Sequence, residues 1–540
     1  MKAIHLNFSN GFEWVTSGNI TFKGYMFDNN GSFLTAPEAT KLFHHVNDIA
    51  SLESILQQSD GIFTLMIDLP EGTLIATDPI GGFPLLYTKA TGGWLIADDA
   101  AIFAAQQDKW TYNSEAQPEF LSAGFVLGDE TLVKEIKRTQ AGQILFLHHN
   151  EKKEQKTYYW FLPDHFTSKP KSLLKQELKS VLEGVARRLI DSLQGKTAVV
   201  PLSGGYDSRL IACMLKEAGY EQTVCFTYGR PNKESEISKK VAEALGFKWF
   251  FIDYNDIDID GLTDNPEFTD YCNYVGNVSS MPYLQEYFAV KLLKEKKLIL
   301  ENSVFIPGHV GDNIAGSYLE KTIRVSNKKS QNSSRDIRKG YFNFLPLSPG
   351  MEKKIETRLN DWFLAYDPPA FISDSQYDPT TEDWALKERL SKFIFNSSGV
   401  FPFFGYQCRF PLFDREFRSF FRELPFSFRK HKALYDGVLK EGYFIPSEVH
   451  FPGVEINEKP WTLRLRKLKD KFRFLIPYVT RKNRLRRHDY ICYHRFTEQM
   501  VKDMETRGVK PPRRINSYNA LICLWYSNRI KQLFVKNGKP

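Results

Sequence analysis

Over roughly the first 160 residues, apolar positions fall in short runs punctuated by turn-forming residues: GIFTLMIDL (61–69), GTLIATDPI (72–80), GWLIADD (93–99) and GQILFLHH (142–149). Runs of this length and punctuation predict strands, and hence a β-rich layered domain. Polar HHNEKKEQK (148–156) and DHFTSKPKS (164–172) follow. A lysine-rich, proline-marked stretch between two patterned regions predicts a domain boundary, which we place at 1–165 and 166–540. Beyond it the period changes: Leu173, Leu174, Leu178, Val181, Val185, Leu189 and Leu193 recur at helical spacing, with Gly195 as the stop.

A second alternation then begins. TAVVPL (197–202), TVCFTYG (223–229), KWFFIDY (248–254) and LILENSVFIPGH (298–309) are apolar runs of strand length. Between them lie the amphipathic stretches SRLIACMLKEAG (208–219), ESEISKKVAEALG (234–246) and PYLQEYFAVKLLKEKK (282–297). Strands alternating with helices predict a doubly wound α/β domain: a parallel sheet of at least four strands, buried on both faces. After about residue 350 the pattern becomes helical and rich in aromatic residues.

Composition narrows the class. At 540 residues, with 42% hydrophobic and 25% charged positions, the chain reads as a folded protein of more than one domain. No run reaches the roughly 18 apolar residues of a membrane span, and the start, MKAIHLNFSNGFEW, lacks a signal-peptide core, so the cytoplasm is the expected location. The six cysteines are far apart without a CxxC pair, which predicts buried thiols in place of a zinc site or disulfide framework. Thirteen Lys or Arg between Lys459 and Arg495, against two aspartates, form a basic stretch. With no nucleic-acid motif beside it, we read it as a solvated face over Leu463, Leu465, Leu468, Phe472 and Leu475, and expect no nucleic-acid partner.

The chemistry concentrates in PLSGGYDSRL (201–210), a turn between a predicted strand and helix. In doubly wound sheets ligands bind at the carboxyl ends of strands. There, following Leu202, Gly204 and Gly205 let backbone N–H groups approach an anion, and a helix starting near Ser208 points its positive end at the same place. Ser203 to Ser208 therefore predict a phosphate cradle. Asp207 would repel bare phosphate but would hold Mg²⁺ bridging to it. Nucleotide plus magnesium satisfies the loop better than the plain alternative, a tight turn capped by serine and aspartate.

PLSGGYDSRL resembles the pyrophosphatase loop of N-type ATP pyrophosphatases. TVCFTYGRPNKESEISKKVAEALG, with Glu236, SSMPYL (279–284), PGHVGDNIAGSY (307–318) and QCRFPLFD (407–414) are similar to successive segments of the asparagine synthetase family. DGIFTLMIDLPEGTLIATDPIGGFPLLY (60–87) and AGFVLGDETLVKEIKRTQAGQILFL (123–147) resemble that family's class II glutaminase, an Ntn-hydrolase-like α+β domain. The resemblance spans nearly everything up to residue 440. It implies a ligase that uses ATP and Mg²⁺ to adenylate a carboxylate, releases pyrophosphate and forms an amide. Asp207 and Asp312 would hold the metal, and Leu202, Ser203, Gly204, Gly205, Asp207, Ser208, Tyr228 and Gly308 the nucleotide. Lys459 would steady the acyl intermediate.

Departures from the family pattern redirect the expectation. Thr77 replaces an arginine and Gln407 a glutamate, and the first cysteine is Cys213, in the other region. A class II glutaminase needs an N-terminal cysteine nucleophile, so no glutaminase nucleophile is assigned, as in the β-lactam synthetases of this family; lasso-peptide cyclases are relatives too. The nitrogen would then come from ammonia or from an amine on a sugar, peptide or metabolite. His309 stands where asparagine synthetases have Glu and β-lactam synthetase has Tyr, an address implicated in proton removal. It serves either as that base or as a local hydrogen-bonding group, water or substrate then taking the proton. Arg409 and Asp414 occupy positions of the family pattern, and the plainer alternative is a buried ion pair holding the helical region onto the sheet; a homodimer is the candidate assembly. The competing reading is a non-catalytic nucleotide-binding scaffold, of the kind that would accompany surface-polysaccharide assembly.

Overall fold

The computed structural model describes residues 3–106, 110–319, 333–373, 378–451 and 485–535. Among these, the early strands build two sheets. One is four-stranded, ordered Ala3–His5, Gly93–Ala97, Leu86–Ala90 and Lys137–Arg138. The other is seven-stranded: Lys153–Thr157, Gln143–His148, Gly72–Thr77, Asp60–Leu69, Ile20–Phe27 and Trp14–Ser17 in order, with Phe33–Leu34 paired to Ile20–Phe27. Each predicted run becomes a strand. The predicted connector does not stay irregular, because Lys153–Thr157 pairs antiparallel with Gln143–His148 as a lysine-bearing sheet edge. Such an edge resists further pairing, which is why its polarity misleads a reading by hydrophobicity. Asp78 organises the turn after Gly72–Thr77 by accepting from the backbone N–H groups of Phe63, Ile80, Gly81 and Gly82.

The later strands form a five-stranded parallel sheet ordered Lys248–Asp253, Thr223–Gly229, Ala198–Pro201, Val304–Phe305 and Gln407–Cys408. Strand order thus reverses between Ala198–Pro201 and Val304–Phe305, the place where a doubly wound sheet opens a ligand crevice. Helix Lys171–Leu193 packs beside it and ends at Gln194 in a left-handed conformation, next to Gly195. Helix Lys233–Leu245 is closed by an Asn232 capping box and by Gly246. The region after residue 333 is largely helical and joins the same large apolar core as both the layered and the parallel sheets.

Arg409 and Asp414 do not pair. Buried Arg409 lies over the rings of Tyr25 and Phe33 and donates to Ser192 O, Cys408 O and Gln407 Oε1. Asp414 instead takes Arg188 through two bonds of 2.7 and 2.9 Å and caps helix Arg415–Arg422. The ion pair fails to form because two neutral carbonyl acceptors and Gln407 already meet the arginine. Asp414→Ala should leave Arg188 its bond to Glu416 alone and remove the cap. A loss of about 1–2 kcal/mol, read from the urea midpoint at unchanged slope, is expected. All six cysteines are free and buried.

Candidate functional site

The loop after Ala198–Pro201 is closed on itself. Leu202 hydrogen-bonds the neighbouring strand through Phe226 O and the Thr227 hydroxyl. Ser203 N donates to Ser208 Oγ at 3.0 Å, and Gly205 N to Ser203 Oγ at 3.2 Å. Helix Tyr206–Glu217 starts two residues before the predicted Ser208, with Gly205 as N-cap, so Asp207 lies in its first turn. Gly205 has φ −75°. Among the described residues neither loop glycine has a positive φ, so Gly204 and Gly205 supply room and not left-handed angles. A side chain on Gly204 would meet the backbone and side chain of Glu234 at 3.1–3.2 Å.

The loop after Val304–Phe305 comes up against this one. A Cβ on Gly308 would stand 2.7 Å from Ser208 N, and one on Gly311 2.9 Å from Asp207 Oδ2. Asp312 N donates to Asp207 Oδ2 at 2.8 Å, and Tyr435 OH to Asp207 Oδ1 at 2.9 Å. Between them Val310 has φ +67°, a conformation that costs a buried β-branched residue about 1–3 kcal/mol. Strain is therefore stored where the chain brings His309 and Asp312 to the crevice.

Burial first, and then the neighbouring Asp312, push the Asp207 carboxyl well above the usual carboxylate range. Asp207 lies in the first turn of a helix and Asp312 beside it, so the two carboxylates can serve one cation. Mg²⁺ is held by one or two carboxylates plus phosphate oxygens, so Asp207 and Asp312 fit it. No group of three or more His, Cys, Asp or Glu suited to a metal occurs among the described residues. His309 keeps some exposure; its Nδ1 lies 2.9 Å from Ser398 Oγ, and burial lowers its pKa to about 4. The ring is neutral at physiological pH.

The remaining expected residues sort as follows. Tyr228 ends the adjacent strand, but its hydroxyl turns inward to Glu286 Oε1 and Gln285 Nε2, with the ring stacked on Tyr254. Lys459 and the leucines Leu463, Leu465 and Leu468 with Phe472 and Leu475 lie outside the described residues. At the end of the basic stretch Arg495 is no solvated charge. It donates to the carbonyls of Tyr254, Asn255 and Ile257, while Tyr490 O accepts from Arg230 N. That segment covers the end of strand Thr223–Gly229.

Sequence reasoning missed Tyr435, Ser398 and Arg209. Tyr435 and Ser398 reach the site from distant helical segments, and no local pattern marks them. Arg209 lies inside the quoted motif. Its guanidinium donates to Gly204 O and Val449 O and packs over the rings of Tyr206, Phe444 and Phe451, pinning the loop from behind.

Two family models match the chain: the glutamine amidotransferase domain over residues 25–160 and asparagine synthase over residues 177–389. The chain belongs to the asparagine synthetase family. Its membership makes it a relative of ATP-dependent amide-forming ligases, with a glutamine amidotransferase-like part before a parallel-sheet synthetase part. No curated protein matches. Among solved structures, the NH3-dependent NAD synthetase of Campylobacter jejuni subsp. jejuni NCTC 11168, in complex with nitrate, is 15% identical. That match covers 38% of this chain and 100% of that one at a TM-score of 0.21. The glutamine phosphoribosylpyrophosphate amidotransferase of B. subtilis, complexed with ADP and GMP, is 12% identical over 46% and 73% at 0.20. At such scores the family models alone decide membership. No helix among the described residues is long and apolar enough to cross a membrane.

Proposed function

We propose that the chain is an AMP-forming ligase that joins a carboxylate to an amine or ammonia. The observation that carries this reading is the junction of the two loops at the point of strand reversal, where Asp312 N donates to the carboxylate of Asp207 in the first turn of the helix. In the first half-reaction a substrate carboxylate oxygen bonds to the α-phosphorus of ATP, the bond from that phosphorus to the bridging oxygen breaks, and pyrophosphate leaves. Ser203, Gly204, Gly205 and Ser208, with Leu202 and Gly308 supporting them, would hold the departing phosphates, and Tyr228 would flank the base with its backbone. Mg²⁺ bound by Asp207 and Asp312 would supply charge stabilisation as pyrophosphate departs. In the second half-reaction the amine nitrogen bonds to the acyl carbon, the carbon–oxygen bond to AMP breaks, and the nitrogen loses a proton.

We assign that proton to His309 Nε2. The imidazole is unprotonated at physiological pH and so free to accept, while the burial that lowers its pKa to about 4 also weakens it as a base; Ser398 fixes the tautomer if Nδ1 carries the hydrogen. His309→Gln should lower amide formation about 10²-fold or more while leaving carboxylate-dependent pyrophosphate release intact. The sign of the pH effect follows from the lowered pKa. His309 stays unprotonated in the folded chain while the unfolded chain takes up a proton below about pH 6.5, so its contribution to stability is lost as pH falls from there toward 4. The Gln variant should lose that part of the acid destabilisation, measured as unfolding midpoints between pH 4 and 7.

An amine carried by the substrate, or free ammonia, is the nitrogen source in this reading, with the first cysteine of the sequence, Cys213, lying in helix Tyr206–Glu217. The expected units of 1–165 and 166–540 remain part of the proposal, as does Lys459 as a partner of the acyl intermediate. Pooled carboxylates with Mg-ATP provide the test: pyrophosphate and AMP should appear in equal amounts only when a carboxylate is present. ADP with phosphate, or bound ATP that no carboxylate discharges, would favour a scaffold.

A further inference from the structure

A second cavity, of about 80 Å³, lies between the two sheets of the early strands and the helical region; Phe83, Tyr274, Phe395 and Phe410 form much of its wall, with Arg138 among its polar groups. It shares with the candidate site Ser398, the partner of His309. One water needs roughly 10–15 Å³ in such a space, so several would fit, or one small organic molecule.

Arg138 is 3% exposed, and its Nε and Nη1 have no acceptor among the described residues. Other buried arginines also leave nitrogens without an acceptor, Arg418 Nε and Nη1 among them, but each still donates from its guanidinium: Arg409 to backbone carbonyls and Gln407, Arg418 to Asp60, Arg429 to Glu382. The carboxylate that attracts Arg138 is Glu388, whose oxygens already accept from Lys392 Nζ, Trp362 Nε1 and Gly128 N. A buried guanidinium without acceptors is costly and calls for a bound partner.

Several other polar groups of the wall are committed. Lys23 Nζ donates to Phe8 O beside Asp98, and Asp98 accepts from Asn7 N, Phe8 N and Trp14 Nε1. Asn277 uses its amide on Ala100 N and Asp98 O. Arg138 thus offers a positive donor set in an otherwise largely aromatic and aliphatic space. Water would satisfy the nitrogens but leave that wall wet. A molecule with an anionic head and an apolar body meets both demands.

We propose that this cavity is a binding site for a short-chain carboxylate, held by Arg138 with its alkyl part against the aromatic wall. The site is distinct from the acyl-acceptor crevice and needs no ATP. The full chain is titrated with acetate, propionate and butyrate against chloride at matched ionic strength, followed by saturation-transfer NMR and by unfolding temperature. A saturable response at millimolar concentration to at least one acid is expected. Arg138→Met should weaken it about tenfold or more. Val275→Met, which narrows the cavity from another side, should weaken butyrate more than acetate. Binding should persist in Asp207→Asn, so that failure of the ligase reading and failure of this one are separable. No saturable response to any of the three acids would overturn the proposal. So would undiminished binding in Arg138→Met or, should that variant not fold, an unchanged butyrate-to-acetate preference in Val275→Met.

Discussion

Asp207→Asn should abolish pyrophosphate release while making the ligand-free protein harder to unfold at pH 8. Asparagine keeps an oxygen to accept from Asp312 N or Tyr435 OH, so the junction between the loops keeps much of its packing. What disappears is a charge that the folded protein disfavours. The carboxyl is pushed above its ordinary pKa by burial and by Asp312, so its penalty is absent at low pH and grows as pH rises through the raised value. Asparagine never ionises and escapes that penalty, raising the unfolding temperature by roughly 1–3 °C at pH 8 and by nothing near pH 4. Loss of the same charge removes a magnesium ligand, and a fall in turnover of about 10³-fold is expected. A merely structural aspartate would show the opposite pairing, lower stability together with lower activity. Scanning calorimetry at the two pH values, beside a pyrophosphate assay, separates the cases.

Gly308→Ala should cost both stability and nucleotide affinity. The added methyl would stand 2.7 Å from Ser208 N and 3.0 Å from Asp207 C, both backbone atoms at the start of a helix that cannot swing aside as a flexible side chain would. The loops must part, at about 1–3 kcal/mol by the usual cost of overpacking. Parting them also separates Asp312 from Asp207, so Mg-ATP should bind at least about tenfold more weakly. Gly350→Ala is the control. Gly350 lies in the first turn of helix Pro349–Leu364, and a Cβ there meets nothing within 4 Å. That change should leave both urea midpoint and affinity unaltered or slightly improved.

The crevice was legible in the sequence because its parts are local. A strand, two glycines, an aspartate and a helix start lie within ten residues in PLSGGYDSRL, and PGHVGD repeats the arrangement after another strand. Burial of both faces made the strands of the parallel sheet continuous apolar runs, hence easy to see. Its fifth strand, Gln407–Cys408, is two residues long and joins the sheet from about a hundred residues away in the chain, with no period to betray it. Lys153–Thr157 was hidden for the opposite reason, as a polar edge. Tyr435 and Ser398 illustrate the general limit: each reaches a loop residue across 228 and 89 positions of chain, and only the packing of the helical region puts them there. The alternative of an ion pair between Arg409 and Asp414 failed likewise, since Arg188 on a separate helix competes for the carboxylate.

Titration calorimetry of the full chain with ATP, run once with Mg²⁺ and once with a chelator, tests the central physical claim most directly: that the turn at 203–208 and the carboxylates of Asp207 and Asp312 together receive the phosphates of a metal-bound nucleotide. The account predicts saturable binding at one site with Mg²⁺, weakened at least about tenfold by the chelator and by Asp207→Asn. Binding equally strong without the metal and in the variant, or no binding at all, would contradict it.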